Sequence, residues 1–154
     1  MSTRRIPLVD LRRDGGTQVR ETMNAATVQD YADALAEGVE FPAVTVFFDG
    51  EAHWLADGFH RVLAHERAGL VDVLAEIRTG SKRDALLFAV GANANHGLPR
   101  TNKDKRRAVE ILLRDEEWAF KTGRAIAKKA GVHHDLVSEV RAGMPSGELA
   151  DSAN

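Results

Sequence analysis

The residues with the clearest chemical potential are Asp57, Gly58, Phe59, His60 and Arg61, which form one short turn. Glycine accepts a positive φ angle, so Asp57-Gly58 predicts a sharp turn into a helix. The first backbone N–H groups of that helix would lie at the positive end of its dipole, where phosphate binds well. The imidazole and the guanidinium add a titratable donor and a fixed charge. The turn therefore predicts a phosphate site; a helix start with a solvated His-Arg pair is the structural alternative.

Strands are predicted on both sides of this turn. Segments 42–48 and 53–56 read as two strands joined through Asp49-Gly50, a dipeptide typical of hairpins. Gly69 predicts the end of the intervening helix, and segment 73–78 predicts a further strand. The predicted order is a hairpin, the turn at residues 57–61, a helix and a strand.

This order resembles the N-terminal domain of ParB-type chromosome and plasmid partition proteins, a fold shared with sulfiredoxin. The resemblance covers residues 6–100 and implies a bound nucleotide, CTP or ATP with Mg²⁺, whose phosphates lie at 58–61. The family's Gly-Glu-Arg-Arg is Gly58-Phe59-His60-Arg61 here, so less positive charge would face the phosphates, which disfavours nucleotide hydrolysis. The catalytic cysteine of sulfiredoxin would align with Phe59, which excludes sulfinic acid repair by that chemistry.

Four more residues are implied in nucleotide binding by the same resemblance. Arg20, in Gln18-Val19-Arg20, stands in the place of the family's Gln-x-Arg element. Asn95, His96 and Arg100 stand where the family has an acidic-Asn-x-x-Arg box that closes over the phosphates. The structural alternative is that Arg20 is a surface arginine and that Asn95 and His96 cap a helix.

Three helix starts are predicted from capping residues followed three positions later by an aspartate. The pairs are Thr27 with Asp30, Ser81 with Asp84, and Thr101 with Asp104. Alternating apolar residues in segment 6–11 predict an opening edge strand. The first two turns of the helix from Thr101 carry four basic residues, whose positive charge is unfavourable at a helix N-terminus. Binding of these residues to the phosphate backbone of a nucleic acid would offset that cost. The alternative is a solvated basic face. The four residues are Lys103, Lys105, Arg106 and Arg107.

Segment 123–141 predicts a helix-turn-helix. Gly131 suits the turn, Ile126 and Ala127 suit the inner side of the first helix, and Val137 and Val140 suit the inner side of the second. A plain structural helix pair is the alternative. If the segment binds DNA, the first helix touches the backbone and the second faces base edges or phosphates. The side chains predicted to do so are Arg124, Lys128 and Lys129, and then His133, His134, Asp135, Ser138, Glu139 and Arg141.

Charge is divided along the chain. Segment 97–141 has 11 basic and 7 acidic residues, a net charge of +4, whereas segment 1–96 has 10 and 14, a net charge of −4. The basic part coincides with the predicted helix-turn-helix, which favours a nucleic-acid partner.

Several other classes of site are disfavoured. The absence of cysteine excludes disulfides and thiolate metal sites, and no Gly-x-Ser-x-Gly nucleophile motif occurs. No His-x-x-x-His or His-x-His pair occurs near a carboxylate, and adjacent histidines on a helix are expected to diverge, so we predict no metal site. No apolar run reaches the length of a membrane span, so we predict a cytoplasmic protein without a membrane partner.

The sequence thus predicts an α+β ParB/sulfiredoxin-like domain at 1–98, an all-α helix-turn-helix domain at 99–142 and a tail at 143–154. The predicted function is that of a ParB-type DNA-binding protein in partition or transcription, controlled by nucleotide. Its partners would be double-stranded DNA and, for a symmetric operator, a second copy of the chain. The alternative is an enzyme of the same fold, a small-molecule kinase or nuclease, in which Asp57 or Glu51 holds Mg²⁺ or acts as base. A regulatory adaptor with a vestigial pocket is a third possibility.

Overall fold

The computed structural model describes residues 2–16, 24–95 and 100–144. The described residues up to 89 form one compact unit and those from 90 form another. The first unit is a mixed α+β structure, as predicted, and the second is helical. The predicted domain boundary after residue 98 and most of the predicted tail lie outside the described residues.

A five-stranded sheet forms the centre of the first unit. The strands are β1 (Ser2–Pro7), β2 (Leu11–Arg12), β3 (Val44–Phe48), β4 (His53–Asp57) and β5 (Asp72–Thr79). Their order in the sheet is β1-β5-β3-β4-β2, in which β1 and β5 are antiparallel, β5 and β3 parallel, β3 and β4 antiparallel, and β4 and β2 parallel. The predicted hairpin and the predicted strand after Gly69 are confirmed.

Three helices accompany the sheet, namely α1 (Ala25–Ala36), α2 (Phe59–Arg67) and α3 (Lys82–Asn95), which begins in the first unit and ends in the second. Buried Ala85 of α3 packs with Phe47 and Trp54 of the sheet. The α1 helix packs on α2 through Val28, Ala32 and Ala64. Val62 of α2 belongs to the buried core of the sheet with Val44 and Val46, so α2 and the turn that precedes it are held against the central strands.

Asp49 stabilises the β3–β4 hairpin. Its Oδ1 accepts hydrogen bonds from the backbone N–H groups of Glu51 and Ala52, each at 2.8 Å, and its Oδ2 accepts one from Trp54 Nε1 at 2.8 Å. These bonds, led by that from Ala52, lower the pKa of Asp49 to about 2. The predicted Asp49-Gly50 turn is thus reinforced by a side chain that stays ionised.

The prediction of one strand over residues 6–11 is wrong. β1 ends at Pro7, a 3₁₀ turn covers Leu8–Asp10, and β2 begins at Leu11 on the opposite edge of the sheet. Proline has no N–H for a strand ladder and ends the strand here. Ile6, Leu8 and Leu11 are all buried. Their apolar pattern therefore reflects burial at the two opposite edges of the sheet and does not indicate a single strand.

The α1 helix begins before its predicted cap. Asn24 is the N-cap, and its Oδ1 accepts the Thr27 N–H at 3.0 Å. Two alanines between these residues are strong helix formers and extend the helix toward Asn24.

The caps predicted at Ser81 and Thr101 are confirmed. Each cap side chain accepts a hydrogen bond from the backbone N–H of the aspartate three residues on, and the side chain of that aspartate accepts one from the backbone N–H of the cap residue.

The second unit contains α4 (Asn102–Arg114), a 3₁₀ turn (Trp118–Phe120), α5 (Gly123–Ala130) and α6 (His134–Gly143). Its helices pack through small and branched apolar side chains that are almost fully buried. These are Ala108, Val109, Leu112 and Leu113 of α4, Ile126, Ala127 and Ala130 of α5, and Val137 and Val140 of α6. No helix among the described residues is both long and apolar enough to cross a bilayer.

Candidate functional site

The turn before α2 has the geometry that the sequence predicts. Gly58 is the N-cap with φ +107°, and α2 starts at Phe59. A Cβ on Gly58 would lie 2.8 Å from Val44 Cβ, so both the angle and the space require glycine. The first N–H groups of a helix have no acceptor inside it and form a local positive pole. The backbone here is suited to an anion, while the Phe59 side chain packs against the core of the sheet.

The imidazole and the guanidinium of this turn both make hydrogen bonds within the protein. His60 Nε2 accepts the backbone N–H of Asn24 at 3.1 Å, which connects α2 to the start of α1. Arg61 is 18% exposed and donates from Nη1 to the carbonyl oxygens of Pro42 and Ala43 at 2.8 and 3.0 Å. The strand predicted from residue 42 begins only at Val44, since Arg61 takes these two carbonyl groups.

The carboxylates proposed for the enzyme alternative lie at the two ends of β4. Asp57, the last residue of β4, accepts a hydrogen bond from Arg61 Nη2 at 3.4 Å. Glu51 lies in the exposed hairpin turn before β4. A strand of this length separates its ends by more than about 10 Å, so the two carboxylates do not share one metal ion.

Arg100 caps a helix of the second unit. Its Nη1 donates to Ala130 O at 2.8 Å and its Nη2 to Gly131 O at 2.9 Å, at the carboxyl end of α5. The last carbonyl groups of a helix lack intrahelical donors, and a cation is favoured there by the dipole. Asn95 is the last residue of α3, whereas Arg20 and His96 lie outside the described residues.

The corner between α5 and α6 is formed at Gly131. This residue has φ +69°, and its N–H donates to Ala127 O, as does the N–H of Val132 at 2.9 Å. A Cβ on Gly131 would lie 2.7 Å from Ala94 Cβ, so the corner is also packed tightly against the end of α3. Two short helices therefore meet at a glycine turn at the position predicted from the sequence.

Most of the side chains predicted to face DNA are exposed on these two helices, whereas Lys129 lies against Trp118. Arg124 and Lys128 of α5 are exposed, and Lys129 lies with Nζ 5.9 Å from the centre of the Trp118 ring. On α6, Ser138 and Glu139 are exposed and Arg141 is partly exposed, while Val137 and Val140 point to the core. The amphipathic pattern of α6 thus separates a buried apolar side from an accessible polar one.

Residues 133–135 at the start of α6 differ from the sequence-based expectation. His133 is the N-cap in an extended conformation, and its Nδ1 accepts the Asp135 N–H at 3.2 Å. Because His133 precedes the helix, its ring does not diverge from that of His134; the ring centroids are 4.2 Å apart. The premise that adjacent histidines on a helix diverge is therefore wrong for this pair.

One ion pair of the second unit was not predicted. Arg106 Nη1 lies 3.1 Å from Glu139 Oε1 and joins the basic start of α4 to the polar side of α6. The partners are 33 residues apart, so no local sequence pattern could reveal the pair. It places part of the predicted basic stretch of α4 beside the exposed residues of α6.

The comparisons with known sequences point to regulatory proteins. No protein-family model matches the sequence. A protein of Streptomyces griseus described as "Streptomycin biosynthesis operon possible regulatory protein" is 29% identical over 119 residues, or 74% of this chain and 33% of that protein. Transcriptional regulator NovG of Streptomyces niveus is 29% identical over 96 residues, or 62% of this chain and 29% of that protein. The chain spans about a third of the length of these curated relatives.

The solved structures that match include two of the C-terminally truncated chromosome-partitioning protein ParB from Caulobacter crescentus. The complex with the centromeric parS site matches 93% of this chain and 73% of that one, with TM-score 0.58 and 19% identity. The complex with CTP-gamma-S matches 96% and 82%, with TM-score 0.54 and 18% identity. The chain therefore has a ParB-like fold.

Proposed function

We propose that this protein is a DNA-binding transcriptional regulator whose α5–α6 helix pair is a helix-turn-helix that docks on duplex DNA. The observation that carries the proposal is the glycine corner at Gly131, which joins two short helices with a buried apolar side and an accessible polar side. In this geometry the second helix enters the major groove and the first crosses the backbone.

The charge of the second unit supports this orientation. Arg124 and Lys128 are exposed on α5, where the first helix of such a motif contacts phosphates. The start of α4 adds Lys103 and Arg107, which are also exposed. Arg106, paired with Glu139, connects this basic segment to α6. Phosphate contacts of this kind supply most of the affinity, while α6 would supply contacts to the bases.

The names of the relatives favour transcription over partition. Both sequence relatives are named as regulators, and the parS complex of ParB supports a DNA partner for this fold. A symmetric operator would require two copies of the chain, so we expect a homodimer on DNA.

The α5 contacts predict a specific salt dependence. Log affinity for duplex DNA is expected to fall linearly with log salt concentration, and Arg124→Ala or Lys128→Ala should each reduce the slope by about 1. The reason is that each lost phosphate contact releases one counterion fewer. Fluorescence anisotropy with a labelled duplex of mixed sequence, at several salt concentrations, measures the slope, because phosphate contacts do not depend on sequence.

Arg67→Ala is the matched control, since Arg67 is an exposed arginine of the first unit. It should leave both affinity and slope unchanged. Equal slopes for Lys128→Ala, Arg124→Ala and the unsubstituted protein would exclude α5 as the backbone-binding helix.

A nucleotide at the N-terminus of α2 is a second element of the proposal. It is supported by the positive φ of Gly58, the helix start at Phe59 and the CTP-gamma-S complex of ParB. Arg61 and Arg100 are engaged elsewhere within the protein, so the site offers mainly backbone donors and we expect weak binding. The engagement of Arg61 with Pro42 and Ala43 also weighs against the enzyme alternative, because a transferred phosphate would have no fixed cation from that side chain.

Titration with CTP and Mg²⁺ tests the nucleotide proposal. We expect saturable heat in calorimetry. A change in DNA affinity when CTP is present would show that the nucleotide site and the DNA-binding helices are coupled. ATP is the comparison nucleotide. Absence of binding up to about 1 mM CTP, an affinity near −4 kcal/mol, would show that the turn before α2 is structural only.

A further inference from the structure

Three side chains with metal-binding groups converge at the corner between α5 and α6. His133 Nδ1 lies 3.4 Å from Asp135 Oδ2, and His134 Nδ1 lies 3.2 Å from Asp135 Oδ1. One ligand atom from each residue lies within 4.8 Å of those from the other two. The side chains of His133, His134 and Asp135 are 69%, 41% and 82% exposed, so an ion from solvent can reach all three.

These distances suit a tetrahedral divalent ion. Zinc binds imidazole nitrogen and carboxylate oxygen at about 2.0–2.2 Å, which separates neighbouring ligand atoms by roughly 3.3 Å. His133 Nδ1 is 3.4 Å from Asp135 Oδ2 and His134 Nδ1 is 3.2 Å from Asp135 Oδ1, and both distances are close to that separation. Because the two contacts use different oxygens of the carboxylate, a rotation of the Asp135 side chain would bring one oxygen to both imidazoles. Three protein ligands would leave one position for water.

The hydrogen bonding of His133 gives an independent argument. Its Nδ1 accepts the Asp135 N–H, so in the neutral ring this nitrogen carries no proton. The unprotonated nitrogen then faces the carboxylate Oδ2 across 3.4 Å, a contact between two acceptors. A cation between them would turn this repulsive contact into two favourable ones.

Two costs oppose metal binding at this position. The ion would take the His133 lone pair from the Asp135 N–H, and loss of a helix cap costs about 0.5–2 kcal/mol. A cation near a helix N-terminus also opposes the dipole, by about 0.3–1 kcal/mol. The charge of Asp135 offsets the second cost, so the expected site is one of moderate affinity.

We propose that His133, His134 and Asp135 form a surface site for a divalent transition-metal ion of the Zn²⁺ class. The ion would reverse the charge of the corner, which carries the Asp135 carboxylate and two imidazoles that are neutral when they bind metal. If α6 enters the major groove, as the proposed function requires, the bound ion would strengthen DNA binding. This regulatory consequence rests on the proposed function, whereas the site itself does not.

Metal titration of the full chain without DNA tests the site. At pH 7.5 we expect one Co²⁺ to bind with visible absorption and one Zn²⁺ to displace it in calorimetry. His134→Ala removes one of the three ligands, and Asp135→Asn replaces the anionic ligand with a weaker neutral amide oxygen. Each substitution should weaken Zn²⁺ binding at least about tenfold. His53→Gln, which removes an imidazole from the first unit, is the matched control and should bind as the unsubstituted chain does. Circular dichroism of each variant shows whether it remains folded.

Unchanged Zn²⁺ binding in both His134→Ala and Asp135→Asn, or no saturable binding by the unsubstituted chain, would overturn the proposal. Weaker binding at pH 5.5 should accompany a true site, since protons compete for the imidazoles. Anisotropy with duplex DNA, in EDTA and in Zn²⁺, then tests the regulatory consequence. Failure of DNA binding under both conditions would count against the proposed function and leave the metal site standing.

Discussion

Replacing Gly58 with alanine is expected to lower the free energy of unfolding of the first unit by about 2–5 kcal/mol. Gly58 has φ +107°, an angle that costs an L-residue about 1–2 kcal/mol. The new methyl group would lie 2.8 Å from Cβ of Val44, which is fully buried in the central strand β3. Overpacking of this kind adds about 1–3 kcal/mol, because β3 cannot move without disturbing both neighbouring strands.

Gly50→Ala separates the two contributions. Gly50 has nearly the same backbone angle, φ +104°, but its Cβ would meet no described heavy atom within 4 Å. Only the conformational cost of about 1–2 kcal/mol is therefore expected. Urea denaturation in a Trp118→Phe background measures both, since Trp54 is then the tryptophan that reports on the first unit. Equal losses for the two variants would show that Val44 does not constrain the turn before α2.

The elements that the sequence predicts well are those specified by neighbouring residues. The caps at Ser81 and Thr101 are reciprocal bonds between residues three positions apart, and the Asp49-Gly50 hairpin closes through Asp49 itself. Gly131 likewise takes a positive φ that its position between two helices demands. Such local bonds leave a local pattern, so the order of strands and helices could be predicted.

The parts that escaped prediction depend on partners far along the chain. Arg61 bonds to carbonyl groups 18 and 19 residues away, and Arg100 bonds to carbonyl groups 30 and 31 residues away. A guanidinium beside a predicted phosphate site looks the same in sequence whether it binds an anion or a carbonyl oxygen. The convergence of His133 with His134 was missed for a different reason, because the start of α6 is one residue later than the helical argument requires.

Together these arginine contacts change how the nucleotide hypothesis should be tested. Each guanidinium stabilises a backbone segment in the absence of any ligand. Loss of nucleotide binding in an arginine variant would therefore not identify a phosphate ligand unless the stability of the protein were measured separately. Arg100 provides the clearest case, since its two acceptors are both known and both lie at the α5–α6 corner.

Replacing Arg100 with lysine is expected to destabilise the second unit by about 1.5–3 kcal/mol in the absence of nucleotide. Arginine reaches the Ala130 and Gly131 carbonyl oxygens with two nitrogens of one planar group, at 2.8 and 2.9 Å. Lysine keeps the charge but has a single ammonium group, which cannot reproduce the fork. Amide hydrogen exchange of α5 and α6 should accelerate roughly 10- to 100-fold if these amides exchange through unfolding of the second unit. Exchange in β3 and β5 should not change.

Arg124→Lys is the matched control, because Arg124 is an exposed arginine of the same helix pair and should leave exchange unaltered. DNA affinity should also fall in Arg100→Lys, since the corner that sets the angle between α5 and α6 loses its cap. If Arg100 instead served only a bound nucleotide, exchange without CTP would equal that of the unsubstituted chain, and a defect would emerge only when CTP was added. That outcome would contradict the capping role, because a helix cap acts whether or not a ligand is present.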